Sequence, residues 1–126
     1  MTVSVVDDLL AQWEEAYKKG LLTFWLLLLL HEQPRYAFEL PAAVAQASNE
    51  TISADDQSIY RALKRFEGMK IVSSYWEESP QGPPRKYYRL SDLGEQLLGR
   101  FIRRNILLFQ DELVEKRVRA VLDGAA

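Results

Sequence analysis

The sequence predicts a mainly α fold with a small β-hairpin. Three observations carry the prediction. Apolar residues recur at helical spacing from Val5 to Gln46, from Ile52 to Phe66 and again from Leu97 to Leu122. Between the last two runs, Ile71–Glu78 and Arg85–Leu90 turn to β-branched and aromatic residues. The link between those strands, Ser79-Pro80-Gln81-Gly82-Pro83-Pro84, is turn material. A chain of 126 residues is one domain's worth, and 48% hydrophobic content is enough for a core. With no cysteine there is no disulfide framework and no thiolate chemistry. The residues 1–6 lack the basic and apolar regions of a signal peptide, so a cytoplasmic protein is expected.

In chain order, Val5, Val6, Leu9, Leu10, Trp13, Ala16 and Tyr17 share one face of an N-terminal amphipathic helix, expected to stop near Gly20. Leu21 to about Glu32 is apolar all round, which predicts a central buried helix. Its apolar run Leu21–Leu30 is about half a membrane span, so no membrane partner is expected. Pro34 ends it. A further helix follows over Ala37–Gln46, with Phe38, Leu40 and Val44 apolar and Pro41 tolerated in its first turn.

Ser48–Thr51 is a polar loop, and Ile52 is placed to staple the next helix. In that helix Ser53 reads as the N-cap with Asp56 completing a capping box, and Gly68 as the left-handed stop. Ile59, Ala62, Leu63 and Phe66 make its apolar face, and Gln57, Tyr60, Arg61, Lys64 and Arg65 lie off it. After the hairpin, Ser91 caps a last helix expected from about Asp92 to about Val121, slightly weakened by Gly94 and Gly99. At about 45 Å such a helix outruns a domain of this size, and its many apolar residues call for a second chain. The N-terminal helix also needs cover, from the same domain or from a second subunit. The division is 1–20 N-terminal amphipathic helix, 21–90 winged-helix domain and 91–126 C-terminal dimerisation helix.

A helix pair, a basic two-faced helix and a basic hairpin make the winged helix-turn-helix pattern. The net charge of −2 does not by itself suggest nucleic acid, but its distribution does. Residues 1–56 hold 3 Lys/Arg against 9 Asp/Glu (net −6), residues 57–90 hold 7 against 3 (net +4), and residues 91–126 hold 6 against 6. A solvated, salt-bridged helix face would also be basic, yet only Glu67 is available to pair with the cations of the two-faced helix. Arg and Gln have the donors that read guanine and adenine in the major groove, and Lys and Tyr can bond phosphates. The residues expected at double-stranded DNA are therefore Tyr36, Gln57, Tyr60, Arg61, Lys64, Arg65, Arg85 and Lys86.

Enzyme chemistry finds no footing. His31, the only histidine, reads as a capping or packing residue at a helix end. Asp55-Asp56 and Glu77-Glu78 are adjacent pairs that point apart. Gly82-Pro83-Pro84 lacks the free amides of a phosphate loop. No catalytic, metal or cofactor site is assigned.

Three segments resemble the PadR-like transcriptional regulators: Pro34–Leu40, Ser58–Glu67 and Gly82–Ser91 with Gly94 behind them. The likeness spans about Leu21 to Leu98. It implies a winged helix that dimerises through its terminal helices and binds a palindromic promoter site, usually as a repressor. One cyanobacterial relative with an extra N-terminal helix implies circadian clock gene control. Four positions depart from the family pattern: Ala37 and Lys70 stand for glycines, Arg61 for proline and Pro83 for a wing arginine. Lys70 leaves the turn into the wing to Gly68, two residues earlier. Some relatives sense aromatic small molecules, for which Trp13, Tyr17 and Trp25 are the candidate lining. A winged helix used as a protein-interaction module is the alternative of another class, suggested by the acidic N-terminal third.

Overall fold

In the computed structural model, which describes residues 2–124, helix α1 runs unbroken over Thr2–Glu32. The expected stop at Gly20 does not occur. A glycine costs a helix interior about 1 kcal/mol, and the strong formers on either side outweigh it; Gly20 itself is exposed. At about 1.5 Å per residue, α1 is near 46 Å long. Its two halves differ. Leu26, Leu27, Leu29 and Leu30 are buried in the core, whereas Val5, Val6, Leu9, Leu10, Trp13 and Tyr17 are exposed.

After α1 comes a two-residue strand, β1 (Arg35–Tyr36), then a 3-10 turn (Ala37–Glu39) and α2 (Leu40–Ala47). The single helix expected over Ala37–Gln46 is thus a tight turn followed by a helix, with Pro41 in the first turn of the latter. The loop after α2 is closed by Ser48, whose buried hydroxyl accepts the Ile52 N–H at 3.0 Å. Asn49 and Glu50 there take positive φ.

Helix α3 (Asp56–Gly68) buries Ile59, Ala62, Leu63 and Phe66, the face its spacing predicts. Its start is later than expected. Ile52 and Ala54 both pack on the core. Residues alternating in this way need extended backbone, so the helix opens only after Asp55, which replaces Ser53 as the cap. Its end also differs: Gly68 stays helical, and Lys70 takes the left-handed conformation at φ +64°.

Strands β2 (Val72–Glu77) and β3 (Arg85–Leu90) form the hairpin, and β1 adds to it in the order β1-β3-β2, all antiparallel. In register, Tyr36 faces Tyr87 and Tyr75 faces Tyr87 from the other side. Alternation sends Tyr88 into the core and Tyr87 to the opposite face. Burial pushes the Tyr88 phenol above its ordinary range despite the opposing charge of Lys86.

The single long C-terminal helix is not formed. Ser91 caps α4 (Asp92–Phe101) through the Gly94 N–H. A π turn (Ile102–Ile106) and a 3-10 turn (Leu107–Gln110) follow, then α5 (Glu112–Gly124). The Asn105 side chain bonds the Phe101 carbonyl at the π turn. Asp111 turns extended, at ψ 133°, and its carboxylate accepts the N–H groups of Leu113 and Val114. A residue that caps a new helix ends the old one.

Candidate nucleic-acid interface

The cap fixes where α3 begins. The Asp55 carboxylate accepts the Ser58 N–H at 2.7 Å. That bond, with the Ser58 hydroxyl and the Arg61 charge, holds the Asp55 carboxyl below its ordinary range. Once the buried face is set by Ile59, Leu63 and Phe66, helical geometry dictates the rest. Gln57, Tyr60, Arg61, Lys64 and Arg65 are all exposed. The Lys64 ammonium lies 5.7 Å from the Tyr60 ring centre, and the Arg65 guanidinium lies 5.4 Å from the Phe66 ring. Among the described residues no carboxylate forms an ion pair with Arg61, Lys64, Arg65 or Arg85.

The hairpin divides its two expected contact residues. Arg85 is exposed and stacks 5.0 Å from the Tyr36 ring. Lys86 lies on the other face, half-buried, 3.7 Å from Glu67 at the end of α3. Glu67 also accepts the Ser74 hydroxyl at 2.6 Å. Tyr36 is half-buried rather than free, in a row of rings that runs Phe38, Tyr36, Tyr87, Tyr75 at 5.4, 6.0 and 5.9 Å between centres. Arg89 closes the far end, 5.7 Å from Tyr75. The sheet's outer face is therefore a continuous aromatic row with an arginine near each end.

The chain's match to the model of the transcriptional regulator PadR-like family covers residues 26–100. This chain belongs to that family. The PadR-like transcription factor of Bacteroides fragilis is 30% identical, with a TM-score of 0.59 over 91% of this chain and 99% of that one. A PadR family regulator from Eggerthella lenta is similar in fold at 24% identity, with a TM-score of 0.67 over 97% of this chain and 93% of that one. The Bacillus subtilis PadR structure, solved in complex with operator DNA, shares the fold at 21% identity and a TM-score of 0.60, over 65% of this chain and 47% of that one.

Within the PadR-like segments, one side chain has a place that the sequence pattern did not suggest. Phe38 reads as an apolar residue of a helix with Leu40 and Val44, but it is 67% exposed while those two are fully buried. A signal was present: two positions before Leu40, a helical residue falls about 200° from it, on the opposite face. Phe38 walls one side of an open, mostly apolar cleft of about 390 Å³, completed by Ala37, Asp56, Gln57, Tyr60 and Arg61.

The aromatic residues considered for a small ligand at a dimer interface, Trp13, Tyr17 and Trp25, all lie along α1 in a single copy of this PadR-like chain. Trp13 and Tyr17 are exposed, and Trp25 packs edge-on to Phe24 at 5.3 Å. The small apolar cleft beside α1, about 170 Å³, is lined by Gly20, Thr23, Phe24, Leu27, Leu97, Leu98 and Phe101 instead. His31 is exposed rather than packed, and its Nδ1 lies 2.6 Å from Glu95, tying the end of α1 to α4. Among the described residues no helix is long and apolar enough to cross a membrane.

Proposed function

We propose that this PadR-like regulator is a cytoplasmic, sequence-specific DNA-binding repressor that holds a palindromic promoter site as a homodimer. The observation that carries the reading is the exposed face of α3. Gln57, Tyr60, Arg61, Lys64 and Arg65 all bear donors with the reach to bond base edges or phosphates, and among the described residues no carboxylate lies within ion-pair distance of Arg61, Lys64 or Arg65. A helix so equipped, held at the N-terminal end of its exposed face by a short turn and flanked by a hairpin bearing Arg85, suits a major groove. The Bacillus subtilis relative's operator complex supports the same use of the fold.

Exposed apolar side chains support the dimer. Val5, Val6, Leu9, Leu10 and Trp13 on α1, and Leu113, Val118, Val121 and Leu122 on α5, lie exposed. Clusters of exposed apolar residues on a helix face are typical of an interface. A second copy, bringing the same surface, supplies the cover and sets two α3 helices on successive half-sites.

Selection of bound duplexes from a random pool tests the proposal. The expected product is a palindrome with half-sites about one helical turn apart. Recovery of no enriched sequence, with binding that ignores salt, would favour the protein-interaction module. Circadian clock promoters are among the sequences to scan with the selected site.

A further inference from the structure

The cleft between α3 and the turn before α2 sits among the donors of the reading face but is itself apolar. Phe38 and Tyr60 wall it, and Ala37 lies between. Gln57 and Arg61 border it, so whatever they bond lies beside it. Neither ring is loose. Phe38 packs 5.4 Å from Tyr36, which Arg85 covers, and Tyr60 lies under Lys64. Asp56 on the rim makes the cleft a poor seat for a phosphate. The base edges of the major groove offer one apolar group, the C5-methyl of thymine.

We infer that the Phe38–Tyr60 cleft receives a thymine C5-methyl and so determines part of the operator sequence. The inference rests on the DNA-binding reading above and adds a base preference to it. Gln57 beside the cleft suits an adenine, so the thymine belongs to an A·T pair next to, or shared with, the base that Gln57 bonds. The ring edges exclude water around the methyl, and that exclusion is the source of the discrimination. Removing one buried methyl weakens binding about fourfold, and removing one from each half-site weakens it about fifteenfold if the two act independently.

The test alters the DNA before the protein. In the selected operator each thymidine is replaced singly by deoxyuridine, which differs only in lacking the methyl, and affinity is measured with the full chain. The expected result is one thymine in each half-site where the replacement costs about fourfold, with the others near neutral. Phe38→Ala should bind the thymine and uracil operators equally, as should Tyr60→Ala. Both side chains are exposed, so neither change opens the core. Parental binding indifferent to every uracil replacement overturns the inference while leaving DNA binding intact. So does a thymine preference that survives Phe38→Ala and Tyr60→Ala. Failure to enrich any duplex would instead overturn the DNA-binding reading itself.

Discussion

The Lys86 ammonium stands 3.7 Å from the Glu67 carboxylate, joining the hairpin to the last turn of α3. With the Ser74 hydroxyl on the other Glu67 oxygen, both long strands are tied to the helix they flank. Lys86 thereby has a partner for its charge, whereas Arg85 has no ion-pair partner among the described residues. Their substitutions should separate in a salt titration. Arg85→Ala should weaken DNA binding for all sequences and flatten the log–log salt slope by about 0.9 for each phosphate that the protein no longer neutralises. The double variant Lys86→Met with Glu67→Gln removes a positive and a negative charge together. It should keep the parental slope and lose affinity only through a less fixed hairpin. Equal slopes for all three proteins would remove Arg85 from the DNA backbone.

Lys70 occupies the left-handed region at φ +64°, which disfavours any side chain with a Cβ. Lys70→Gly should stabilise the fold by about 0.5–1 kcal/mol, the strain relieved less the entropy a glycine adds to the unfolded chain. The bond from the Ser91 hydroxyl reaches the Lys70 carbonyl, so it survives the change. Urea unfolding at fixed protein concentration measures the gain. A drop in stability would mean that the Lys70 side chain holds the turn by interactions of its own.

Gly94 and Gly99 both read as weak points of a helix, and the fold gives them opposite meanings. A Cβ at Gly94 would strike the Ile71 carbonyl oxygen and come within 2.6 Å of Leu90 Cδ1, whereas at Gly99 the nearest atom, from Arg103, is 4.0 Å away. Gly94 lets α4 lie directly on the entry to β2 and the end of β3. Gly94→Ala should therefore destabilise by about 3 kcal/mol or more, the cost of overpacking against backbone that cannot yield. Gly99→Ala should stabilise by up to about 1 kcal/mol. Thermal unfolding of the two variants beside the parent decides it.

These glycines show what local pattern carries and what it does not. The faces of α3 and the two long strands were legible because burial on one side imposes a period, and Ile59, Leu63 and Phe66 keep it. Strand β1 was not, since two residues have no period. Its existence depends on the edge that Tyr87 and Tyr88 present to Arg35 and Tyr36. Gly20 and Gly68 read as stops by residue type alone, yet Gly20 lies inside α1, where the following residues continue the helix, and Gly68 is the last helical residue of α3, the left-handed turn falling at Lys70. At the C-terminal end, Ile106-Leu107-Leu108-Phe109 is apolar without a break and fixes no helical face, so the chain could turn at Asp111. For the site, composition revealed the donors on α3. It did not reveal that Phe38 joins them, nor that Lys86 faces Glu67, because both depend on how separate elements meet.

The exposed apolar residues of α1 and α5 give the proposed dimer a direct test. Trp13 and Leu122 are 76% and 68% exposed, so a charge at either leaves the core of one subunit untouched. Trp13→Glu and Leu122→Glu should each shift sedimentation from dimer toward monomer at micromolar concentration, with helical circular dichroism retained. DNA affinity should fall sharply with the dimer, because each half-site is then held alone. A parent that sediments as a monomer would leave these surfaces without a partner.

Arg61 is the family departure with the most to say about sequence choice. It stands on the exposed face of α3, one turn beyond Gln57, borders the Phe38–Tyr60 cleft and meets no carboxylate within ion-pair distance among the described residues. A guanidinium so placed can bond guanine O6 and N7 together, worth about 1–3 kcal/mol against the wrong base. Arg61→Ala should therefore relax preference at one base pair of each half-site while leaving the others as they were. Arg61→Lys should restore charge but only part of the discrimination, since an ammonium lacks the paired donors. Binding of each protein to single-base variants of the selected operator measures both effects. A uniform weakening over all variants, with a flatter salt slope, would place Arg61 on a phosphate instead.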